Sequence, residues 1–246
     1  MRITENKIDI NYEDTKEFFR GRSQKFNKDN PYSVTMYQDN NKELVLARNA
    51  KEIERLYPLL CIDKHSKVLD VACGIGRWAD TLPGEIEEYC GIDFSAELIE
   101  IARQRNRKEN FHFCVGGAEQ VKTVLTEHNR GKYNIILMIG IMVYLNDTTL
   151  TSLLVQLETV CENSATICIR EPIALKDRLT LKNFFSDELN DNYNAIYRTR
   201  SELLETLTQT LLTKDFSIKE EGFLFDEDTL NNRKETAQYY FLLKRN

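Results

Sequence analysis

The sequence predicts an α/β protein built on one mostly parallel sheet with helices on both faces. Three observations carry this expectation. Short apolar runs alternate with amphipathic stretches from about residue 67 onward, the pattern of βα units. The first run, Val68-Leu69-Asp70-Val71-Ala72, passes directly into a glycine-rich turn and a helix-like stretch. The last two runs, 216–223 and 238–244, are separated mainly by a polar loop, which suits an antiparallel pair closing one edge of the sheet.

Taken in order, residues 1–41 come first. Phe18, Phe19, Phe26, Tyr32 and Tyr37 are interleaved with Arg20, Arg22 and Lys25. That mixture is too aromatic for disorder and is expected to form an irregular cap or lid. A helix follows over 42–59, ending near Pro58. Strands are expected at 67–72, 88–93, 111–115, 133–139, 165–170, 216–223 and 238–244. Helices are expected at 77–82, 95–107, 118–128, 147–162 and 201–212, with Ser95 as an N-cap. The stretch 174–197 is polar and aromatic and breaks the rhythm. It is read as part of an insertion, about 172–200, on the substrate side of a main domain spanning 42–246.

Composition narrows the class. A chain of 246 residues is long enough for one large α/β domain. The formal net charge is −6 and no basic stripe is present, which argues against a nucleic-acid partner. No run approaches the ~18 apolar residues of a membrane helix, and the N-terminus lacks a signal-like apolar stretch. None of the six cysteines forms a CxxC pair, so no metal site is expected. Cys90, Cys114 and Cys168 lie in or beside strand-like runs and are expected to be reduced core residues. A cytoplasmic monomer or homodimer follows as the default.

The richest signal is Asp70-Val71-Ala72-Cys73-Gly74-Ile75-Gly76-Arg77-Trp78-Ala79. Gly74 and Gly76 permit backbone torsions that bring a ligand close, at the carboxyl end of a strand where open α/β sheets bind ligands. Gly74, Gly76 and Ala79 even satisfy the dinucleotide spacing G-x-G-x-x-G/A. Asp70 pulls the other way: its carboxylate suits a cationic amino-acid end, as in S-adenosylmethionine, and would repel a pyrophosphate. Asp93 ends the next strand and offers acceptors to two ribose hydroxyls. Capping of local amides is the structural alternative for both residues.

Asp-x-Ala-Cys-Gly-x-Gly, followed by Gly91-Ile92-Asp93-Phe94-Ser95, resembles the first two motifs of class I S-adenosylmethionine-dependent methyltransferases. The resemblance implies a Rossmann-like seven-stranded sheet with an antiparallel last strand, and S-adenosylmethionine as cofactor. It implies cofactor contacts at Asp70, Ala72, Gly74, Gly76, Trp78, Asp93 and Phe94. After the third strand the family usually carries an aspartate; here Gly117-Ala118-Glu119 stand instead and are expected at the adenine. Ile139 and Met142 are expected beside the cofactor, in a segment that resembles the one beneath the transferred methyl.

For the acceptor, none of His65, His112 and His128 falls at the carboxyl end of the sheet, where a base would be needed. Glu171 and Tyr144 are the candidate catalytic residues. Arg20, Tyr32, Tyr37, Arg170, Tyr197, Arg198 and Arg233 are the candidate acceptor contacts, because arginine forks grip phosphate-like groups. Cys-Gly-Ile-Gly-Arg-Trp, Arg-Glu-Pro and Arg-x-Glu-Thr-x-Gln-Tyr-Tyr further resemble methyltransferases of bacterial capsule and O-antigen genes. That resemblance implies a small anionic acceptor bearing a phosphate or phosphoramidate, or a sugar hydroxyl. The alternatives are an amino-sugar N-methyltransferase, a non-catalytic S-adenosylmethionine-binding protein, an RNA or protein methyltransferase, and an NAD-dependent oxidoreductase.

Overall fold

The structure, a computed structural model, describes every residue except Gln38, Glu188, Glu227, Asp228 and Asn232. Its strands are β1 (Arg2–Thr4), β2 (Lys67–Val71), β3 (Glu88–Asp93), β4 (Phe111–Val115), β5 (Tyr133–Ile139), β6 (Cys161–Ala174), β7 (Leu179–Ser186), β8 (Asp191–Tyr197), β9 (Ser217–Phe223) and β10 (Thr236–Arg245). Its helices are α1 (Tyr12–Gln24), α2 (Ser33–Met36), α3 (Lys42–Leu60), α4 (Ala96–Arg105), α5 (Val121–Glu127), α6 (Asp147–Val160) and α7 (Arg200–Gln209).

The main sheet has the order β4-β3-β2-β5-β6-β10-β9. Neighbours from β4 to β6 run parallel, and β10 is antiparallel to both β6 and β9. This is the expected Rossmann-like seven-stranded sheet with an antiparallel last strand. Both faces are covered. Leu69, Ile136, Met138, Ile167 and Ile169 face one cluster with the apolar residues of α5, α6 and α7. Val68, Ile135, Leu137 and Cys168 face the other with Leu56 and Leu60 of α3 and Ile99 and Ala102 of α4. The period-two alternation of side chains thus serves two cores.

Local signals explain several boundaries. Ser95 caps α4, its Oγ accepting from the Leu98 N–H at 3.2 Å. Helix α3 passes through Pro58 and ends at Leu60, with Cys61 left-handed at φ 52°, two residues beyond the proline. The helix expected over 77–82 is only a 3₁₀ turn at Ala79–Thr81; Trp78 and Leu82 are fixed by burial, not by helical spacing.

The largest departure lies in 1–41, expected as an irregular cap. It contains β1, the thirteen-residue α1 and the turn α2. Phe18 and Phe19 are buried on one face of α1, so tertiary packing overrides a weak local helix signal. The insertion is likewise ordered. Strand β6 continues to Ala174, and β7 and β8 form an antiparallel hairpin joined by β1 into a second sheet of order β1-β7-β8. Phe18, Phe19, Val34, Leu189, Tyr193 and Ala195 share one apolar cluster with Ile75, Leu98 and Val143 of the main domain. The N-terminal segment and the insertion therefore make a single roof.

Candidate active site

Strand β2 delivers Asp70, and the chain then turns through Ala72 (φ 63°), Gly74 (φ 55°) and Gly76 (φ 73°). Three left-handed positions in five residues curl the backbone into a cradle, and at Ala72 the strain is borne by a non-glycine. Asp93, at the end of β3, ties that cradle down. Its Oδ2 accepts the Gly74 N–H at 2.9 Å, and its Oδ1 accepts the Ser95 N–H at 2.9 Å. Asp93 is 5 % exposed, and burial pushes its carboxyl up to about 6. Asp70 accepts a 2.8 Å hydrogen bond from the Tyr89 hydroxyl, and burial pushes it up to about 7. Each carboxylate oxygen has lone pairs for more than one donor, so the local bonds leave acceptor capacity for a ligand. Phe94 lies half-buried beside this turn, edge-on to Phe19. At the end of β4, Gly116 N–H bonds the Asp93 carbonyl at 2.9 Å, which brings Gly117, Ala118 and Glu119 to the same edge.

Beyond the cradle, under the roof, is a cavity of about 280 Å³. Ile139, Gly140, Val143 and Tyr144 form the wall nearest the main sheet. A chain of phenols crosses it: Tyr144 donates to Tyr37 at 2.7 Å, Tyr144 and Tyr193 are 3.3 Å apart, and Tyr193 and Tyr197 3.1 Å. Burial raises Tyr37, Tyr144 and Tyr193 above the ordinary phenol range, so these hydroxyls stay protonated. The described lining also includes Arg2, Arg48, Arg170, Arg233 and Lys234, against two carboxylates, Glu52 and Glu235. Both carboxylates are paired. Glu235 meets Arg2 at 2.6 Å. Glu52, 1 % exposed, meets Arg77 at 2.6 Å and Arg170 at 2.8 Å, and accepts from Trp78 Nε1 at 2.9 Å.

The candidates divide accordingly. The cavity brings together Tyr37, Ile139, Tyr144, Arg170, Tyr197 and Arg233. The cradle brings together Asp70, Ala72, Gly74, Gly76 and Asp93. Others point elsewhere. Trp78 is 2 % exposed and anchored to Glu52. Arg20 lies on the outer face of α1, paired with Glu17 at 2.5 Å. Tyr32 donates to Asp80 at 2.8 Å, with Arg105 over its ring, outside the cavity. Arg198 is 3 % exposed; it bonds the carbonyls of Met142 and Leu145 and the carboxylate of Asp147. Glu171 does not line the cavity. Its Oε1 accepts the Met142 N–H at 2.8 Å, and burial pushes it up to about 7. Glu171 and Arg198 thus clamp the 141–145 turn from its amide and carbonyl ends, with Met142 buried between them.

Arg48, Glu52 and Lys234 were not anticipated. A signal for Glu52 exists: it stands on the buried stripe of α3 with Val45, Leu56 and Leu60, and a carboxylate there calls for a buried cation. Arg48 sits one turn earlier. Lys234 lies in an aperiodic loop and carries no such signal.

Residues 68–164 match the family model of a methyltransferase domain. A demethylmenaquinone methyltransferase of Bacillus licheniformis is 32% identical over 72 residues, 28% of this chain and 31% of that protein. The chain thus aligns to about a third of that relative's length. Among solved structures, phosphoethanolamine N-methyltransferase 1 of Haemonchus contortus, in complex with phosphoethanolamine and S-adenosylhomocysteine, superposes with a TM-score of 0.69 at 16% identity. The match covers 96% of this chain and 50% of that one. The N-methyltransferase NodS of Bradyrhizobium japonicum, in complex with S-adenosylhomocysteine, superposes with a TM-score of 0.59 at 12% identity, covering 93% and 98%. Residues 68–164 thus resemble a methyltransferase domain, and by strand order the chain shares the Rossmann-like fold of these S-adenosylhomocysteine-bound neighbours.

Proposed function

We propose that this chain transfers the methyl group of S-adenosylmethionine to a small anionic acceptor, a phosphate- or phosphoramidate-bearing precursor or a sugar, in surface-polysaccharide biosynthesis. The observation that carries the acceptor class is the cavity lining: five cationic side chains against two carboxylates, both ion-paired, among the described residues. The solved neighbour that holds phosphoethanolamine supports an anionic small molecule in this fold. The polysaccharide setting rests on the sequence resemblance alone. No helix of the described residues is long and apolar enough to cross a membrane.

The donor set at the cradle fits the cofactor. Asp93 takes the ribose hydroxyls, Asp70 faces the cationic amino end, and Ala72, Gly74 and Gly76 present backbone at close range. Phe94, Gly117, Ala118 and Glu119 border the adenine, and Ile139 flanks the reacting end, while Met142 is buried in the core behind that wall. When bound, S-adenosylmethionine supplies a methyl group on a positively charged sulfur. The chain's own contribution is alignment and exclusion of water. The roof covers the cavity, the linked phenols line it with Tyr37 at the accepting end of the chain, and the clamped 141–145 turn fixes the wall at Val143 and Tyr144.

Calorimetric titration with S-adenosylmethionine, S-adenosylhomocysteine and NAD tests the reading. Binding of the first two without the third is expected. NAD binding alone would replace it with a redox function. Binding with no turnover across phosphorylated sugars, phosphoramidates and amino sugars would favour a non-catalytic binder.

A further inference from the structure

We infer that the atom methylated is a negatively charged oxygen of a phosphoryl-type group, so that each turnover moves no proton. This rests on the methyl-transfer reading above and specifies the nucleophile. Three features of the cavity point the same way.

The first is the charge beside the reacting end. Gly140, with φ +78°, leaves no side chain between its backbone and Arg170, whose Nη1 lies 3.1 Å from where a Cβ would stand. Arg170 is held by Glu52 at 2.8 Å and by Gln238 at 3.2 Å. Glu52 is shared with Arg77, so one carboxylate is ion-paired with two buried guanidiniums, on which Glu171 and Asp70 also act electrostatically. An ammonium group would have to shed its hydration against this wall.

The second is the absence of a proton acceptor among the described lining residues. No histidine is present, both carboxylates are ion-paired, and the phenols are held in their protonated form. Glu171 faces the Met142 amide instead of the cavity. A neutral hydroxyl acceptor would therefore have nothing to take its hydrogen. The third is the supply of donors: Tyr37, which accepts from Tyr144 and keeps its own O–H, stands where guanidiniums also converge, a set that matches several oxygens on one centre.

The chemistry then closes without help. An oxygen lone pair forms the O–C bond and the C–S bond breaks, its electron pair returning to sulfur. The positive charge on sulfur and one negative charge on the acceptor disappear together, and the product is a methyl ester.

The test uses the full-length chain with isotope-labelled S-adenosylmethionine and two probes, methylphosphonate and phosphoethanolamine. The second offers both an oxyanion and an amine. The expected product carries a labelled methyl whose resonance is split by phosphorus, and at a pH where the phosphoryl group starts fully dianionic a pH-indicator dye records no proton release. Arg233→Gln combined with Lys234→Gln is expected to lower kcat/KM about tenfold or more while leaving S-adenosylhomocysteine affinity unchanged. Labelled N-methyl product with a proton released per turnover would overturn the inference and leave the methyltransferase reading standing. So would the lack of labelled product from either probe while S-adenosylhomocysteine still binds. Failure of S-adenosylhomocysteine to bind would remove the parent reading itself.

Discussion

At Asp93 one carboxylate has two tasks: it ties down the glycine turn through the Gly74 and Ser95 amides, and it is assigned the ribose. Asp93→Ala is expected to weaken S-adenosylhomocysteine binding by about 1–3 kcal/mol, read by calorimetry. Because Asp93 titrates near 6, wild-type affinity is expected to fall as pH drops below that value, where the protonated carboxyl loses acceptor capacity. Glu171 behaves differently. Its folded carboxyl holds a proton up to about 7 against an ordinary 4.5, so its contribution to stability is complete at low pH and fades as pH rises between those values. Glu171→Gln keeps an oxygen for the Met142 amide. It is expected to retain turnover and, in melting curves across pH 4.5 to 7, to lose that share of the pH dependence. Loss of turnover with an intact fold would return Glu171 to a catalytic role.

Among the elements, α3 shows what a single sequence conceals. Its periodicity and length were legible, because Val45, Leu56 and Leu60 recur at helical spacing. The role of Glu52 was not, because its partners Arg77 and Arg170 lie 25 and more residues away and meet it only in the fold. Glu52→Ala is expected to cost about 3–5 kcal/mol, since two guanidiniums would stay buried without their carboxylate. Urea denaturation reads this directly. The same limit explains the acceptor contacts. Tyr37, Arg170, Tyr197 and Arg233, expected as acceptor contacts, and Tyr144, expected as catalytic, were placed by residue type and position, and they line the cavity. Tyr32, Arg20 and Arg198 shared that chemistry but bond to Asp80, Glu17 and Asp147 instead. The motif from Asp70 to Gly76 could be read because its geometry is local: strand, positive-φ turn and carboxylate lie within a few residues.

For the whole molecule, the parallel sheet and its antiparallel closing pair followed from the alternation of runs along the chain, and the seven-stranded arrangement from the family resemblance. The second sheet did not, because β1 pairs with β7 across some 180 residues and β1 is only three residues long. Removing residues 1–41 takes away β1, α1 and α2 and uncovers Val143, Leu189 and Tyr193. Such a truncate is expected to lose turnover and keep S-adenosylhomocysteine binding, because Asp70, Gly74, Gly76 and Asp93 belong to the main domain. An active truncate would show that the roof has no part in the acceptor site.

The contact between α2 and the glycine turn links two sites. Thr35 lies against Gly74, its Cγ2 only 2.9 Å from where a Cβ would stand, while Tyr32 is fastened to Asp80 nearby. The same segment carries Tyr37 into the acceptor cavity. One segment therefore borders both the glycine turn and the cavity, so a displacement of α2 would uncover the two together.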